Sequence, residues 1–485
     1  MPRQQDTPGL VPVKFARLPK HGLLLGLAGP QLACLGVAAA TLITALYIGG
    51  GSAFAVSALI WAPATILGLA GIQGRKLIDW TPIAAAWLWR THQGQTMFTK
   101  KYAQPRPAGT LALPGDTAAL RQYQDPASGA CLIHDPHQQT LTAIVEVTHA
   151  AFILLDPADQ QRRVDTWGRV LATCCRSGRI ARLQIMERTL PDSGSGLADW
   201  WARHGRDDGS WTARIYQDLI QRAGPASERH VTTISVALDM RAAHRAIRAA
   251  GGGLKGAAAV LNQEMNTLTT ALRTAELNPK GWLGADQIAF MLRTAYDPQA
   301  ASLLETNPHL GRDLATAGPL AVRETWTGLR TDTACHTVLW ISEWPRTQIF
   351  PGFLAPLILS AGIRRTVSLT CTPLSADTAA RDIRRKKTEH IADAAQRAKI
   401  GQIEDAAQTA EYHDILQQEA DLVSGHGFMR YTGLISISAP TEDDLAAAAA
   451  AIQQAAIQAS CETRPLAGQQ AQAFTAAALP LCRAV

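Results

Sequence analysis

Two long stretches near the amino terminus carry no alternation of hydrophobic and polar positions. Residues 22–48 contain no charge, and after the turn Gly49, Gly50, Gly51, Ser52 a second charge-free run covers residues 53–74, broken only by Pro63 and closed by Arg75 and Lys76. About 20 apolar residues suffice to cross the ~30 Å hydrocarbon core, so each run is long enough for a transmembrane helix. A signal peptide would be shorter and followed by mature sequence, whereas a second span follows here. Backbone groups in lipid need internal hydrogen bonds, which selects helices. The pattern predicts a two-helix transmembrane hairpin over residues 21–76. Gly26, Gly29, Gly36, Gly68 and Gly71 would let its arms approach closely, and Pro30 and Pro63 are the positions for kinks.

After the hairpin the apolar run is too short to span. Residues 77–104 carry Trp80, Trp87 and Trp89 among Arg90, Lys100 and Lys101, the composition of an interfacial segment. Pro105, Pro107 and Pro114 then mark a linker into a body with shorter periods. Residues 130–134 and 141–147 read as a β-hairpin around DPHQQ, with 151–155 as a third strand. A helix is expected over 159–177 through Val164, Trp167, Val170 and Leu171, then a strand over 180–188, helix over 197–221, strand over 230–238 and helix over 240–250. GGGLKGAAA at 251–259 separates this from an amphipathic helix, 260–275, with Leu261, Met265, Leu268 and Leu272 on one side, and a helix at 283–296 follows.

A second pass has the same order: strand 337–344, short helix 352–359, strand 364–374, a long polar helix or helix pair over 377–419, strand 434–439 and an alanine-rich helix over 442–459. The expected fold class is therefore membrane-anchored α+β. A cytosolic amino-terminal segment (1–20) and the transmembrane hairpin precede two related cytosolic α+β subdomains, 105–320 and 321–485.

Charge sharpens this picture. The 485 residues carry a net charge of +6. Up to Lys101 there are nine basic residues against Asp6 and Asp79, so the excess belongs to the first hundred residues and suits an anionic membrane face. Arg17 and Lys20 precede the first span, Arg75 and Lys76 follow the second, and the turn is uncharged. Positive residues stay inside, which predicts a multi-pass membrane protein with both termini cytoplasmic. The expected membrane-interface residues are Arg17, Lys20, Arg75, Lys76, Trp80, Trp87 and Trp89. In the polar helix, Arg381, Arg384, Arg385, Lys386 and Lys387 form a basic block followed by spaced carboxylates. This is a candidate partner-docking surface or a solvated face, with no sequence-specific nucleic-acid binding expected.

Candidate chemistry is sparse. GGGLKG at Gly251 lacks the spacing and the Ser or Thr of a phosphate loop. No HExxH occurs, and His134 and His137 have no third ligand nearby in sequence. Ser195 lies outside a GxSxG context. The eight cysteines form no CxxC pair and suit a reducing compartment. No catalytic residue, metal site or cofactor is expected, and the chain reads as no enzyme. A membrane-bound enzyme built from scattered residues is the alternative from another class.

KFARLPKHGLLLGLAGPQL (residues 14–32) resembles the entry into the membrane hairpin of PrgI-family proteins. HDPHQQTLTAIVEV, FILLD, DTWGRVLATC and GRIARLQIMERTLPD, with RTAELNPKGWLGADQIAFMLRTAYDP further on, resemble the body of actinobacterial conjugation-type secretion proteins. That resemblance implies the small two-span subunit of type IV secretion joined to the non-catalytic amino-terminal domain of its ATPase. The protein would then be a structural subunit, a platform for a separate secretion or conjugation ATPase, within an oligomer or multiprotein complex. A second likeness is to EccE of mycobacterial type VII secretion, which has a similar hairpin-plus-cytosolic plan. It implies lateral assembly with other membrane subunits.

Overall fold

The computed structural model of the protein describes residues 11–13, 15, 27, 29–72, 75–101, 103, 107–111, 113–149, 151–192, 195–206, 208–223, 228–307, 309–400, 406–424 and 426–484. The chain forms two compact units: residues 16–95, and residues 96–485 together with the segment that ends at Phe15.

In the first unit the backbone is helical throughout Gly29–Leu69 (α1). It is not a rod. The Gln31 side-chain amide donates to the Gly68 carbonyl at 2.8 Å, 37 residues along the chain, whereas a straight helix would hold them about 55 Å apart. The chain doubles back into two arms, Gly29–Gly49 and Ser52–Leu69, each long and apolar enough to cross a membrane. Hydroxyl groups on the arms bond to carbonyls of their own arm: Thr41 donates to the Val37 carbonyl, Thr44 to Ala40 and Thr65 to Trp61. Such bonding is what a hydrocarbon surrounding requires. A two-strand ribbon, Gly71–Ile72 with Arg75–Lys76, leads into helix α2, Leu77–His92, which has no buried residue.

The second unit is built on one antiparallel sheet of thirteen strands. In chain order they are β1 (Met97–Thr99), β2 (Arg121–Gln124), β3 (Cys131–Asp135), β4 (Thr140–Thr148), β5 (Ile180–Pro191), β6 (Glu228–Asp239), β7 (Asn278–Trp282), β8 (Ala321–Glu324), β9 (Leu329–Arg330), β10 (Cys335–Glu343), β11 (Arg364–Leu374), β12 (Phe428–Ala439) and β13 (Glu462–Pro465). Their spatial order is β1-β8-β9-β10-β12-β11-β5-β6-β4-β3-β2, with β13 added beside β10 and β7 beside β4.

The sheet holds the same unit twice. In the first half the fourth, first, third and second strands lie side by side as β7-β4-β6-β5, and in the second half as β13-β10-β12-β11. This is the order of a split β-α-β arrangement. Helices occupy matching places: α3 (Pro157–Ser177) and α10 (Ala355–Ile358) after the first strands, and the pairs α4 (Ser195–His204) with α5 (Trp211–Ala223) and α11 (Ala376–Ile400) with α12 (Ala406–Val423) after the second strands. After the third strands come α6 (His244–Ala249) with α7 (Gly253–Thr274), matched by α13 (Glu442–Gln458). After the fourth come α8 (Ala285–Tyr296), followed by α9 (Ala300–Thr306), and α14 (Gln470–Ala478). The halves join through β5 and β11, antiparallel from Arg188 opposite Thr366 to Leu183 opposite Cys371. Antiparallel joining sends α4–α5 and α11–α12 to opposite ends of the sheet.

Alternation along each strand divides the core. Leu141, Val145, Val236 and Leu238 pack under α7 with Leu261, Met265 and Leu272. Leu339, Ile341, Ile435 and Ile437 pack under α13 with Ile452 and Ala456. On the opposite face one cluster spans both halves, with Ile144, Met186, Val338 and Leu434 beneath Leu292 and Tyr296 of α8 and Phe474 of α14. Two buried glutamines fix α14. Gln184 of β5 donates to the Ala476 and Leu479 carbonyls and accepts from the Cys482 amide, and Gln470 accepts from the Val338 amide.

Several elements differ from the sequence expectation. The run 151–155 is no strand but a 3-10 turn, Phe152–Leu154. Strand β4 is already paired on both edges, by β6 on one and by β3 and β7 on the other, so the run has no ladder to join. The single helix expected over 197–221 is divided into α4 and α5 around Gly205 and Gly209, the latter at a φ of +69°. The stretches 105–320 and 321–485 share a sheet, and β1, within the segment expected to be interfacial, pairs with β8 of the second stretch.

Candidate functional site

The residues expected at a membrane interface fall on the first unit, where Arg17 and Lys20 lie outside the described residues. Arg75 and Lys76 form the return strand of the ribbon, and the Lys76 ammonium reaches the Leu69 carbonyl at 3.4 Å, at the end of the second arm. The Arg75 guanidinium sits 5.9 Å from the Trp80 ring centroid and that of Arg90 5.5 Å from Trp87. Trp89 is exposed. Cationic groups over indole rings along an exposed helix make a surface apolar and positive at once, suited to the headgroup level.

The basic block lies on α11, which packs against α12 as a helical pair. His390 stacks on Tyr412 with centroids 4.9 Å apart, and Ile383 and Ile415 are buried. Much of the block is neutralised by its own helices. Lys387 pairs with Glu419 at 2.8 Å, and Arg385 lies 3.6 Å from Asp382 and 3.8 Å from Glu389. Arg381 hydrogen-bonds the Asp377 carbonyl and the Thr378 hydroxyl. Arg381, Arg384 and Lys386 form no ion pair among the described residues, so the docking charge expected of five residues is concentrated on these three.

A feature that the sequence did not announce lies on the second unit. The extended segment before the hairpin is strapped onto the body: Val13 exchanges two backbone hydrogen bonds with Ile349, at 2.8 and 3.0 Å, and the Val11 amide donates to the Gln161 side chain of α3 at 2.9 Å. Phe15 enters an aromatic cage, 5.2 Å from Trp344, 5.7 Å from Phe353 and 5.7 Å from Tyr431. The only signal in sequence was one aromatic residue in a short β-branched run, VPVKF.

The stretches considered for chemistry have structural roles. Gly251, Gly252 and Gly253 all take positive φ where α6 turns into α7, and a Cβ on Gly256 would lie 2.4 Å from the Ile247 carbonyl oxygen. GGGLKG therefore serves a tight helix-to-helix turn. His134 and His137 flank a turn in which the Asp135 carboxylate accepts the amides of His137 and Gln138. Ser195 opens α4. No group of three or more His, Cys, Asp or Glu is placed to hold a metal ion among the described residues. All eight cysteines are free thiols, and burial pushes Cys174, Cys371 and Cys482 up to about 12. A cleft of about 710 Å³ opens among Pro191, Pro298, Arg364, Ala439, Asp444 and Ala448. Its two charged groups are engaged, Arg364 by Glu228 at 3.1 Å and Asp444 by the Thr441 hydroxyl at 2.7 Å.

Residues 226–341 match the family model described as "type VII ESX secretion system translocon, EccE". The matched stretch runs from the start of β6 through α7, β7, α8, β8 and β9 into β10, and so covers the passage from the first half of the sheet into the second. No curated protein matches the chain.

Proposed function

We propose that the protein is a membrane-anchored structural subunit of a secretion apparatus, and specifically an EccE-like component of a type VII channel. The match over residues 226–341 carries the reading. It favours the EccE likeness over the conjugative, type IV-like one, which gains no support from it. In this proposal the hairpin crosses a bacterial cell membrane, α2 lies at the headgroup level, and the sheet body stands in the cytoplasm, beside other membrane subunits and a separate ATPase. No catalytic step is assigned to the chain.

The strap supports this topology. Val11, Val13 and Phe15 precede the hairpin and Thr96 follows it, yet all belong to one compact unit. Two segments of one folded body lie on one side of a bilayer, so the chain between them crosses an even number of times. The basic flanks of the hairpin argue that this side is the cytoplasm.

The test is purification of the tagged full chain from its native membranes in mild detergent after light cross-linking, with mass spectrometry of what accompanies it. Recovery with type VII channel subunits and their ATPase is the expected result. Recovery with a conjugative ATPase and relaxase would instead establish the conjugative reading.

A further inference from the structure

The two halves of the sheet differ at one corner. In the first half the chain leaves β6 at Asp239, forms α6 and only then enters α7 at Gly253. Ala243 and Ile247, at i and i+4, are buried in one cluster with Ile180 at the start of β5, Leu238 near the finish of β6 and Ala258 in the second turn of α7. The fit is close, because a Cβ on Gly256 would meet the Ile247 carbonyl oxygen at 2.4 Å. Short side chains at Gly256, Ala257 and Ala258 are what let α6 lie there.

In the second half the chain passes from Ala439, at the finish of β12, through Pro440 and Thr441 directly into α13. The matching corner is the cleft of about 710 Å³, lined by Ile363 just ahead of β11, by Ala439, and by Ala447, Ala448 and Ala451 of α13, with Pro298 from the first half. Its walls therefore include the same three elements that enclose α6 in the first half: the start of the second strand, the finish of the third and the opening turns of the helix that follows. Residues 446–451 are all alanine, and Ala447 and Ala451 are exposed. Beside them Glu442, Asp443 and Asp444 occupy the first turn of α13, exposed and without an ion pair among the described residues, while Arg364 in the lining is held by Glu228.

We infer that the cleft beside α13 is a docking site for a short helix of a partner protein, apolar at two positions four apart and basic at its edge. The first half shows what such a corner accepts: α6 buries Ala243 and Ile247 and leaves Arg241, Arg245 and Arg248 exposed. A helix that sets apolar residues at i and i+4 into a groove is a general mode of recognition, and short side chains on α13 let its backbone come close. The three carboxylates on the first turn of α13 select a cationic edge. An anionic small molecule fits less well, since it would face the same carboxylates.

The probe is a synthetic peptide of residues 240–252, stapled between positions 242 and 249, which are exposed on α6, and carrying photo-leucine at position 247. It is irradiated with the detergent-solubilised full chain, and mass spectrometry locates the label. Labelling is expected within residues 438–451 and 362–364, and it should fall several-fold at high salt. Ala451→Phe fills the cleft from an exposed position and should abolish this labelling, and Ala447→Phe, from the second exposed position of the lining, should do the same. Ala450→Phe, exposed and outside the lining, should leave it unchanged. Labelling that survives both lining variants, or that falls elsewhere on the body, overturns the inference. Labelling no stronger than that given by the same peptide with Ala243→Asp overturns it as well.

Discussion

Phe15 stacks on Trp344 with ring centroids 5.2 Å apart and an interplanar angle of 27°, so a residue just ahead of the hairpin is held by a residue at the end of β10. The contact closes a cage with Phe353 and Tyr431 and stands next to the Val13 and Ile349 backbone pair. Aromatic contacts of this kind, with the burial lost, make Phe15→Ala worth about 2 kcal/mol in holding the strap. Hydrogen exchange at the Val13 and Ile349 amides should accelerate by roughly 30-fold, with the sheet amides unaffected. Unchanged exchange at both amides would show that the strap is held elsewhere.

The hairpin predicts a covalent cross-link. A Cβ on Gly68 would lie 3.5 Å from the Cβ of Cys34, close to the separation of about 3.8 Å found in disulfides. Gly68→Cys should form a disulfide with native Cys34 in membranes treated with a mild oxidant, identified as one linked peptide pair by mass spectrometry. A continuous rod could not give it.

Gly256 tests the reading of GGGLKG as a turn. The added methyl of Gly256→Ala meets a backbone oxygen, which cannot step aside, and the overpacking should destabilise the body by about 1–3 kcal/mol. Lys255→Ala, at an exposed position, should leave stability nearly unchanged. The apparent Tm of each variant decides it, and a wild-type Tm for Gly256→Ala would mean that α6 and α7 are not so closely packed.

His336 predicts a pH dependence. It is fully buried, with Nδ1 2.7 Å from the Ser438 hydroxyl and Nε2 2.9 Å from that of Thr331, and burial pushes it down to about 4. Between the ordinary value near 6.5 and about 4 the unfolded chain binds a proton that the folded chain does not, so stability is complete above pH 6.5 and falls as pH drops towards 4. The full loss is about 3 kcal/mol. Denaturation midpoints measured at pH 7.5, 6 and 5 should fall in that order, and the slope should shrink in His336→Gln. A slope kept by that variant would assign it to other groups.

Reversal of Arg384 and Lys386 to Glu addresses the docking surface without removing the Lys387–Glu419 ion pair that ties the two helices together or the Arg385 pairs within α11. Under the proposed function, capture of a cytosolic partner from solubilised membranes should weaken and lose its salt dependence, with membrane insertion unchanged. Equal capture by both proteins at low and high salt would leave α11 and α12 as a solvated extension.

The sequence by itself determined whatever depends on runs and periods. The two spans, the strands over 180–188 and 364–374 and the helices under α3, α7 and α13 follow from how apolar residues repeat, because burial acts on each element before its partners are known. The recurrence of strand and helix along the chain was legible for the same reason. Pairing belonged to the tertiary structure. Short strands such as β1, β7, β8 and β13 hold three to five residues each and gain their hydrogen bonds from distant neighbours, so no local pattern marks them. The joining of β5 to β11 and the cage around Phe15 both depend on which distant parts of the chain meet. That is decided by long-range complementarity of buried faces, which charge and periodicity along one strand do not contain.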